Sequence, residues 1–575
     1  MTVKLAKTAG FCYGVKRALS TAIEATHKKE CSLQTFGPLI HNKQVIDLLR
    51  SKNIEPVKKI GDITSEKVLI RAHGVSPEVI DDIKKMGIDI LDATCPHVSK
   101  AQHIIDEYTR QGFNSIIIGD KGHAEVVGLL GYAQGKGYVV ENEEDVDLLP
   151  DMEKICVIAQ TTQSEEKFDI ITEKIKQRWQ NAIVYNTICK ATSQRQKELT
   201  NLAKSVDLMV VVGDCKSANT NRLVELSKET GTPTIHIETA EELDLTLQDA
   251  LKFKTVGVTA GASTPYWVIR NVVEELEELQ RKTNPFLFKV MYKIVRAFTY
   301  SHIFLAIGAA SLTFVSSKLI NIQPLLSNSL ISFFYILSMH LLNKYLSLPQ
   351  DRSLTYGPLK FFTRHEKTLF LLGAVSILGA FFIALRLSIY ALALMLLSLI
   401  AGIVYSVAIF PKQWTKFIRY RSLKEIPGSK DVFTAIGWVI VVVLLPFFDA
   451  TKVNTFSLIT TAMIVFSLVL SKSILYDLRE IEGDITIGRE TLPVFMGSKN
   501  ALTMSNLLLY LAFFLPVLGS WFNLLPPFGI LFSIIPIYAV MIESLSKKFN
   551  FYHSWSYDIC SDSQFVIAGL IGLLI

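Results

Sequence analysis

Three cysteines, Cys12, Cys95 and Cys189, stand in stretches dense with other polar and small residues: AGFCYGVKRA, DATCPHVSK and NTICKATSQRQ. Three thiolates can hold a cubane iron–sulfur cluster and leave one iron without a protein ligand. That iron can bind and activate a substrate, whereas a cluster with four cysteine ligands usually only passes electrons. The spacing by itself fits three unrelated buried thiols equally well. There is no tight C-x-x-C pair, and free cysteine is among the most buried residue types. Cys31, Cys156, Cys215 and Cys560 lack such surroundings and read as packing residues. Seven cysteines is an odd count, and no signal peptide precedes the first strand. A reducing cytosol is therefore expected rather than a disulfide framework.

The same half of the chain carries polar groups at the ends of short β-branched runs. VLIRAHGVSP, SIIIGDKGHAEVVG, ICVIAQTTQS, DLMVVVGDCKSANTNR and TVGVTAGASTP each pass from a strand-like run through a polar turn into a helical pattern. This alternation predicts parallel sheets with crossover helices. Open sheets of that kind bind ligands beyond the carboxyl ends of their strands. His73, His123, Glu125, Thr161, Ser217, Asn219 and Ser263 all fall there, and Cys95 follows the short run IDILDA in the same way. Imidazoles, hydroxyls, an amide and helix N-terminal N–H groups suit a phosphate. No Walker-type loop or GxGxxG is present, so nucleotide binding is not expected. Glu125 is the one carboxylate in these turns with a place in acid–base work.

At 575 residues the chain is too long for one core, and its composition changes near residue 284. Charges of both signs are dense before that point and rare after it. The second half predicts eight apolar helical spans with cores near 303–322, 325–343, 368–386, 388–410, 432–448, 455–474, 501–520 and 527–545. A ninth, from about Phe565, has only 11 residues left; it is either partial, helped by 561–564, or the chain is clipped. Basic residues gather in the loops after spans two, four and six, from Lys344 to Lys367, Lys412 to Lys430 and Lys472 to Lys499. The positive-inside rule then places those loops and the first half in the cytoplasm of a multi-pass inner-membrane protein. The net charge of +6 follows this membrane bias, so no nucleic-acid partner is expected. Lys289, Lys293 and Arg296 fall opposite Phe288, Met291, Ile294 and Val295, which predicts a basic helix on the membrane surface. The expected domains are thus 1–281, a juxtamembrane linker helix 282–300, and 301–575.

Nine ordered segments, AGFCYGVKRA, GPLIHN, RAHGVSP, DATCPHV, GHAEVVG, QTTQS, ICKATSQRQ, SANTNRL and TAGASTP, resemble 4-hydroxy-3-methylbut-2-enyl diphosphate reductases over about residues 3–280. The resemblance implies an α/β trefoil of three parallel-sheet domains around a 4Fe-4S cluster held by Cys12, Cys95 and Cys189. It implies diphosphate binding by His41, His73, His123, Ser217, Asn219 and Ser263, a proton relay at Glu125, and Thr161 and Thr192 along the substrate. The implied reaction, the last step of the non-mevalonate isoprenoid pathway, gives isopentenyl and dimethylallyl diphosphates. It needs an outside electron donor such as ferredoxin or flavodoxin. Ala218 stands where a second serine is common, which costs one diphosphate hydrogen bond, and Ala124 replaces a common proline.

In the apolar half, YDLREIEGDITIGRETLPV places Asp477 and Asp484 seven apart, in what reads as the loop after span six. Acids so spaced at the mouth of a helical bundle can share Mg²⁺ ions that hold a diphosphate. With Tyr405 and the basic loop through Lys424 and Lys430, this segment resembles the UbiA superfamily of intramembrane prenyltransferases. That implies an all-α polytopic bundle of about nine helices with a second acidic motif after span two. There NKYLSLPQD keeps Asn343 and Asp351 but has Lys344 and Ser347 where acids are expected. The leading expectation is a reductase fused to a membrane prenyltransferase. The alternatives are a reductase tethered by an inactive anchor or scaffold, and an iron–sulfur redox sensor or electron carrier, for which a diphosphate cradle has no use.

Overall fold

The computed structural model describes residues 2–27, 32–245, 253–282, 285–351, 357–406, 423, 426–448, 453–549 and 554–574. Cys31, Arg352, Lys452, the side chain of Asp351 and the basic run from Lys412 to Lys424 lie outside them. The chain divides into two compact units, Met1–Gln280 and Arg281–Ile575.

The first unit is built on strands β1 (Thr2–Leu5), β2 (Leu33–Phe36), β3 (Ile54–Val57), β4 (Lys67–Ile70), β5 (Asp89–Asp92) and β6 (Asn114–Ile118). Strands β7 (Gly137–Val140), β8 (Ile155–Ala159), β9 (Ile183–Val184), β10 (Leu208–Val212), β11 (Thr234–Ile237) and β12 (Thr255–Ala260) complete it. They form three four-stranded sheets in the orders β1-β12-β10-β11, β3-β2-β4-β5 and β7-β6-β8-β9. Every pairing is parallel. Ile155–Ala159 and Leu208–Val212 are buried along their whole length. Strands covered on both faces are apolar throughout rather than alternating, which is why these runs read so clearly.

The second unit is helical. Among the described residues each of the eight expected cores falls mainly on a helix, the longest being Thr455–Ile487, while 407–410 of the fourth core lie outside them. Among the described residues five helices are long and apolar enough to cross a membrane. They are Glu366–Leu387, Ser429–Phe448, Thr455–Ile487, Ser498–Trp521 and Pro527–Lys548. A sixth arises if Phe286–Tyr300 and Ile303–Leu319, bent by 65° at their junction, count as one. Phe286–Tyr300 is the helix expected over the linker, and Phe286, Phe288, Met291 and Ile294 are exposed along it.

Two expectations are corrected. The last helix is not an 11-residue remnant but runs Trp555–Leu573. Its polar first half, which hid it from a hydropathy reading, is held by ion pairs to the Thr455–Ile487 helix: Lys472 to Asp562 at 2.6 Å and Arg479 to Asp558 at 2.7 Å. The segment from Asp477 to Asp484 is likewise not a loop. It continues the Thr455–Ile487 helix for more than three turns, to a left-handed Gly488 at its end. Lys472 and Arg479, counted among the loop cations, are therefore helix residues paired with acids.

Candidate active site

Each sheet of the first unit presents its chemistry in the same pattern. One edge strand leads to a cysteine: β1 to Cys12, β5 to Cys95 and β9 to Cys189. The two inner strands lead to polar groups. His41 and His73 follow β2 and β4, His123 and Thr161 follow β6 and β8, and Ser217 and Ser263 follow β10 and β12. All of these residues, with Glu125, Thr192, Ala218 and Asn219, line one cavity enclosing about 840 Å³, part of it open to solvent.

The three thiols converge. Cys95 and Cys189 directly precede the helices Pro96–Arg110 and Lys190–Ala203, and Cys12 precedes Tyr13–His27. A side chain at Gly14 would put its Cβ 2.7 Å from the Cys95 sulfur and 3.9 Å from the Cys12 sulfur, so this position has no room for one. Burial raises the Cys95 thiol, and the nearness of Cys12 and Cys189 raises it further. Three soft donors, one from each sheet, with space between them, fit a cubane cluster lacking a fourth protein ligand.

In the same cavity, His41, His73 and His123 form a row, with ring centroids 5.2 and 5.5 Å apart. Burial first, and the neighbouring Arg71 cation among other charges, keep all three below the usual imidazole range, His123 at about 4. They are therefore neutral near pH 7. His123 Nδ1 accepts the Glu125 backbone N–H at 3.2 Å, so the neutral ring carries its proton on Nε2 and can donate it. The Ser263 hydroxyl donates to the His41 carbonyl at 3.0 Å and stands 3.5 Å from the Ser217 hydroxyl. His73 Nδ1 and the Asn219 side-chain nitrogen are buried without a hydrogen-bond partner. Such groups are costly unless a ligand completes them, which fits a cradle built for a polyanion.

Glu125 is buried, 2% exposed. The Thr161 backbone N–H donates to its Oε1 at 2.7 Å and the Thr161 hydroxyl to its Oε2 at 2.9 Å. Burial nevertheless pushes the carboxyl up to about 7, against those two hydrogen bonds. A carboxyl with that affinity can hold a proton and release it near neutrality.

Sequence reasoning missed four neighbours, among them Arg195, which lines the cavity and donates to the backbone carbonyls of Ala260 at 2.7 Å and Gly10 at 2.9 Å. His97 and Thr162 line the cavity, and each stands one or two residues from a named group, which was the available signal. Arg71, two residues before His73, packs over Gly37, where a Cβ would lie 2.5 Å from its guanidinium. Cys156 is fully buried within β8, and Cys215 is exposed beside Glu238.

In the second unit, Asp477 and Asp484 are both buried on the Thr455–Ile487 helix. Lys430 donates to Asp477 at 2.8 Å, and Arg489 stands 3.8 Å from Asp484. The hydroxyls of Tyr405 and Ser429 are 3.2 Å apart. Asn343 is exposed on the Leu326–Asp351 helix, which ends at Asp351. Missed here were Asp431, Asp558 and Asp562, acids lying inside helices that otherwise read as apolar.

Two families match in succession. The family described as LytB protein matches residues 3–277, and the UbiA prenyltransferase family matches residues 303–552. The 4-hydroxy-3-methylbut-2-enyl diphosphate reductase of Alkaliphilus oremlandii is 42% identical over 281 residues, 48% of this chain and 100% of the relative. Among solved structures, the E-1-hydroxy-2-methyl-but-2-enyl-4-diphosphate reductase from Plasmodium falciparum is 29% identical with a TM-score of 0.45, over 49% of this chain and 88% of its own. A UbiA homolog from Aeropyrum pernix K1 is 14% identical with a TM-score of 0.35, over 48% of this chain and 98% of its own.

Proposed function

The chain belongs to the 4-hydroxy-3-methylbut-2-enyl diphosphate reductase family through its first half, and from that premise we propose how its own residues carry out the reductive dehydroxylation. The reaction breaks one C–O bond. It consumes two electrons and two protons, releases water, and leaves isopentenyl or dimethylallyl diphosphate according to which end of the allyl group takes a proton.

Cys12, Cys95 and Cys189 hold a 4Fe-4S cluster, which supplies electrons from a donor such as ferredoxin or flavodoxin and a Lewis-acidic iron with no protein ligand. His41, His73, His123, Ser217, Asn219 and Ser263 hold the diphosphate. Their neutral donors fix the charged end without a bound cation of their own. Glu125 keeps a proton at the buried side of the cavity. It passes the proton, with the Thr161 hydroxyl as its hydrogen-bonded neighbour, to the departing hydroxyl oxygen. Thr192 borders the hydrocarbon part. The observation that carries this reading is the convergence, in one cavity, of three thiols with the unpartnered His73 Nδ1 and Asn219 nitrogen.

The test is direct. Full-length protein, reconstituted without oxygen, should convert 4-hydroxy-3-methylbut-2-enyl diphosphate to both five-carbon products when given a chemical reductant. Cluster-loaded protein with no turnover would overturn the assignment.

For the second half, the UbiA match supports a prenyl diphosphate substrate. We read Asp477 and Asp484, with Asn343 and Asp351, as its Mg²⁺ ligands, on the cytoplasmic side of an inner-membrane protein whose reductase half is also cytoplasmic. A second reading, an anchor without transfer activity, is favoured by Lys344 and Ser347 at positions where acids were expected. Prenyl transfer by membranes carrying the full chain, compared with an Asp484→Ala variant, decides between them.

A further inference from the structure

One cation beside the histidine row has no counter-charge. Arg71 directly follows β4 and stands two residues before His73. It is half-buried. Its guanidinium makes no hydrogen bond or ion pair among the described residues, and its Nε is buried without a partner. The side chain lies against the turn that leads to His41. A Cβ at Gly37, four residues before His41, would stand 2.5 Å from Arg71 Nη1 and 3.1 Å from Arg71 Cζ. Gly37 has φ +76°, where glycine is favoured, so this turn leaves room for the guanidinium. Arg71 thus touches the turn that leads to His41 and stands on the turn that carries His73, and those two rings are 5.2 Å apart. Arg71 does not line the cavity. Its charge nevertheless acts on all three imidazoles of the row.

Arginine stays protonated in proteins, so a half-buried guanidinium is a fixed charge partly removed from water. Burial accordingly pushes its pKa down. Such a charge is costly unless an opposite charge meets it. The carboxylates that act on the row are Asp214 at His41 and Asp120 at His123, and neither forms an ion pair with Arg71. The proposed ligand has the opposite deficit. A diphosphate carries several negative charges, whereas the imidazoles, hydroxyls and amide of the cradle are neutral. Those donors satisfy its oxygens and leave its net charge uncancelled.

We propose that Arg71 is the counter-charge of the bound diphosphate. It is a positioning residue: it holds no phosphate oxygen itself, and it draws the anion towards the histidine row through space. The inference rests on the reading of this cavity as a diphosphate cradle and adds the positive charge that the cradle lacks. Two consequences follow from a charge that nothing else in the fold uses. Its removal should weaken a diphosphate more than a monophosphate, because the attraction scales with the charge of the ligand. Its removal should also leave the ligand-free protein as stable as before.

The experiment is calorimetric titration of inorganic diphosphate, and separately of inorganic phosphate, into full-length protein in lipid nanodiscs with the cluster reconstituted. No divalent cation is added, so sites that need Mg²⁺ stay silent, and Asn219→Ala marks binding in the cradle by weakening it. Arg71→Met should weaken diphosphate about tenfold or more and phosphate less. It should also flatten the fall of diphosphate affinity with added salt. Arg71→Lys keeps the charge and should recover most of the affinity. Thermal unfolding without ligand should give both variants the wild-type Tm. Diphosphate affinity in Arg71→Met equal to wild type overturns the proposal. So does a lowered ligand-free Tm in Arg71→Met together with weak binding in Arg71→Lys, which would make the side chain a packing piece over Gly37. Wild-type protein that binds no diphosphate, or binds it equally well as Asn219→Ala, overturns the cradle reading itself and this inference with it.

Discussion

The two halves place their reactive side chains differently. In the reductase half they stand on turns after strands, three of the four strands in each sheet, and His73 Nδ1 and the Asn219 nitrogen are left without partners. In the membrane half they stand on helix faces and mostly satisfy each other: Lys430 with Asp477, Lys472 with Asp562, Arg479 with Asp558. The difference follows from solvent. A water-facing cavity lets neutral donors wait for a ligand at small cost. In an apolar bundle an unpaired charge is expensive, so each charge must find a counter-charge, an ion or a proton. In the first half, His73 Nδ1 and the Asn219 nitrogen are such waiting groups in the cavity. In the second, Asp431 and Asp477 are the acids that keep a buried carboxylate oxygen without a partner among the described residues.

The largest expected effect tests whether the cysteine triad acts as one unit. Cys12→Ser, Cys95→Ser and Cys189→Ser should each lose the cluster and all reductase activity after anaerobic reconstitution. Cys156→Ser, Cys215→Ser and Cys560→Ser should keep both. Iron content and visible absorbance give the answer without reference to turnover. Full absorbance and activity in Cys95→Ser would break the comparison at its root, since the waiting thiols would then be packing residues.

Next in size is Glu125→Gln. The amide keeps the shape and can still meet Thr161, but it carries no transferable proton. Turnover should fall about 10²–10⁴-fold with substrate affinity nearly unchanged. The pH dependence has a definite sign. With the carboxyl raised to about 7, the proton-bearing form dominates below that pH and is lost above it, so the wild-type rate should decline on the alkaline side. Folded Glu125 also holds its proton more tightly than the unfolded chain does. Its contribution to stability should therefore decrease as pH rises from 4.5 to about 7. Near-normal turnover with weakened binding would make Glu125 a binding residue instead.

The same contrast explains what could be read from the sequence. Parallel strands were legible where they are buried, unbroken apolar runs such as Ile155–Ala159 and Leu208–Val212, and Glu125 or Ser217 stood out as polar residues after such runs, whereas the number of sheets came only from the family resemblance. That edge strands carry the cysteines and inner strands the polar groups was not legible, because strand order is fixed by long-range pairing. In the membrane half the apolar cores were legible and the ends were not. Hydropathy counts Asp558 and Asp562 against a helix, although Arg479 and Lys472 neutralise them across the bundle. The 33-residue helix Thr455–Ile487 was cut short for the same reason.

A third prediction tests that neutralisation. Asp562→Ala leaves Lys472, whose side chain is 19% exposed, without its anion. Removing one partner of a buried pair typically costs about 3–5 kcal/mol, whereas replacing both by apolar residues is often neutral. Thermal unfolding in detergent should therefore show a large loss for Asp562→Ala and substantial recovery for Lys472→Met with Asp562→Leu. Equal losses in the single and double variants would mean that the pair sets the packing of the Trp555–Leu573 helix rather than balancing charge.

The smallest effect is a gain, and it probes the one gap in the reductase cradle. Ala218 lines the cavity at the first position of the Ala218–Glu229 helix, between the Ser217 and Asn219 side chains in sequence. A hydroxyl there would face the same ligand with a helix N-terminus behind it, so Ala218→Ser should add one hydrogen bond to the diphosphate. One such bond is worth about 0.5–1.5 kcal/mol net, and somewhat more when the acceptor is charged. That corresponds to roughly a two- to tenfold tighter binding. Because the diphosphate is held equally in the ground and transition states, KM should fall and kcat should stay. A fall in kcat instead would mean that the added hydroxyl displaces the substrate from the cysteine side of the cavity. No change in either would mean that the diphosphate sits against the histidine row and not at this helix start.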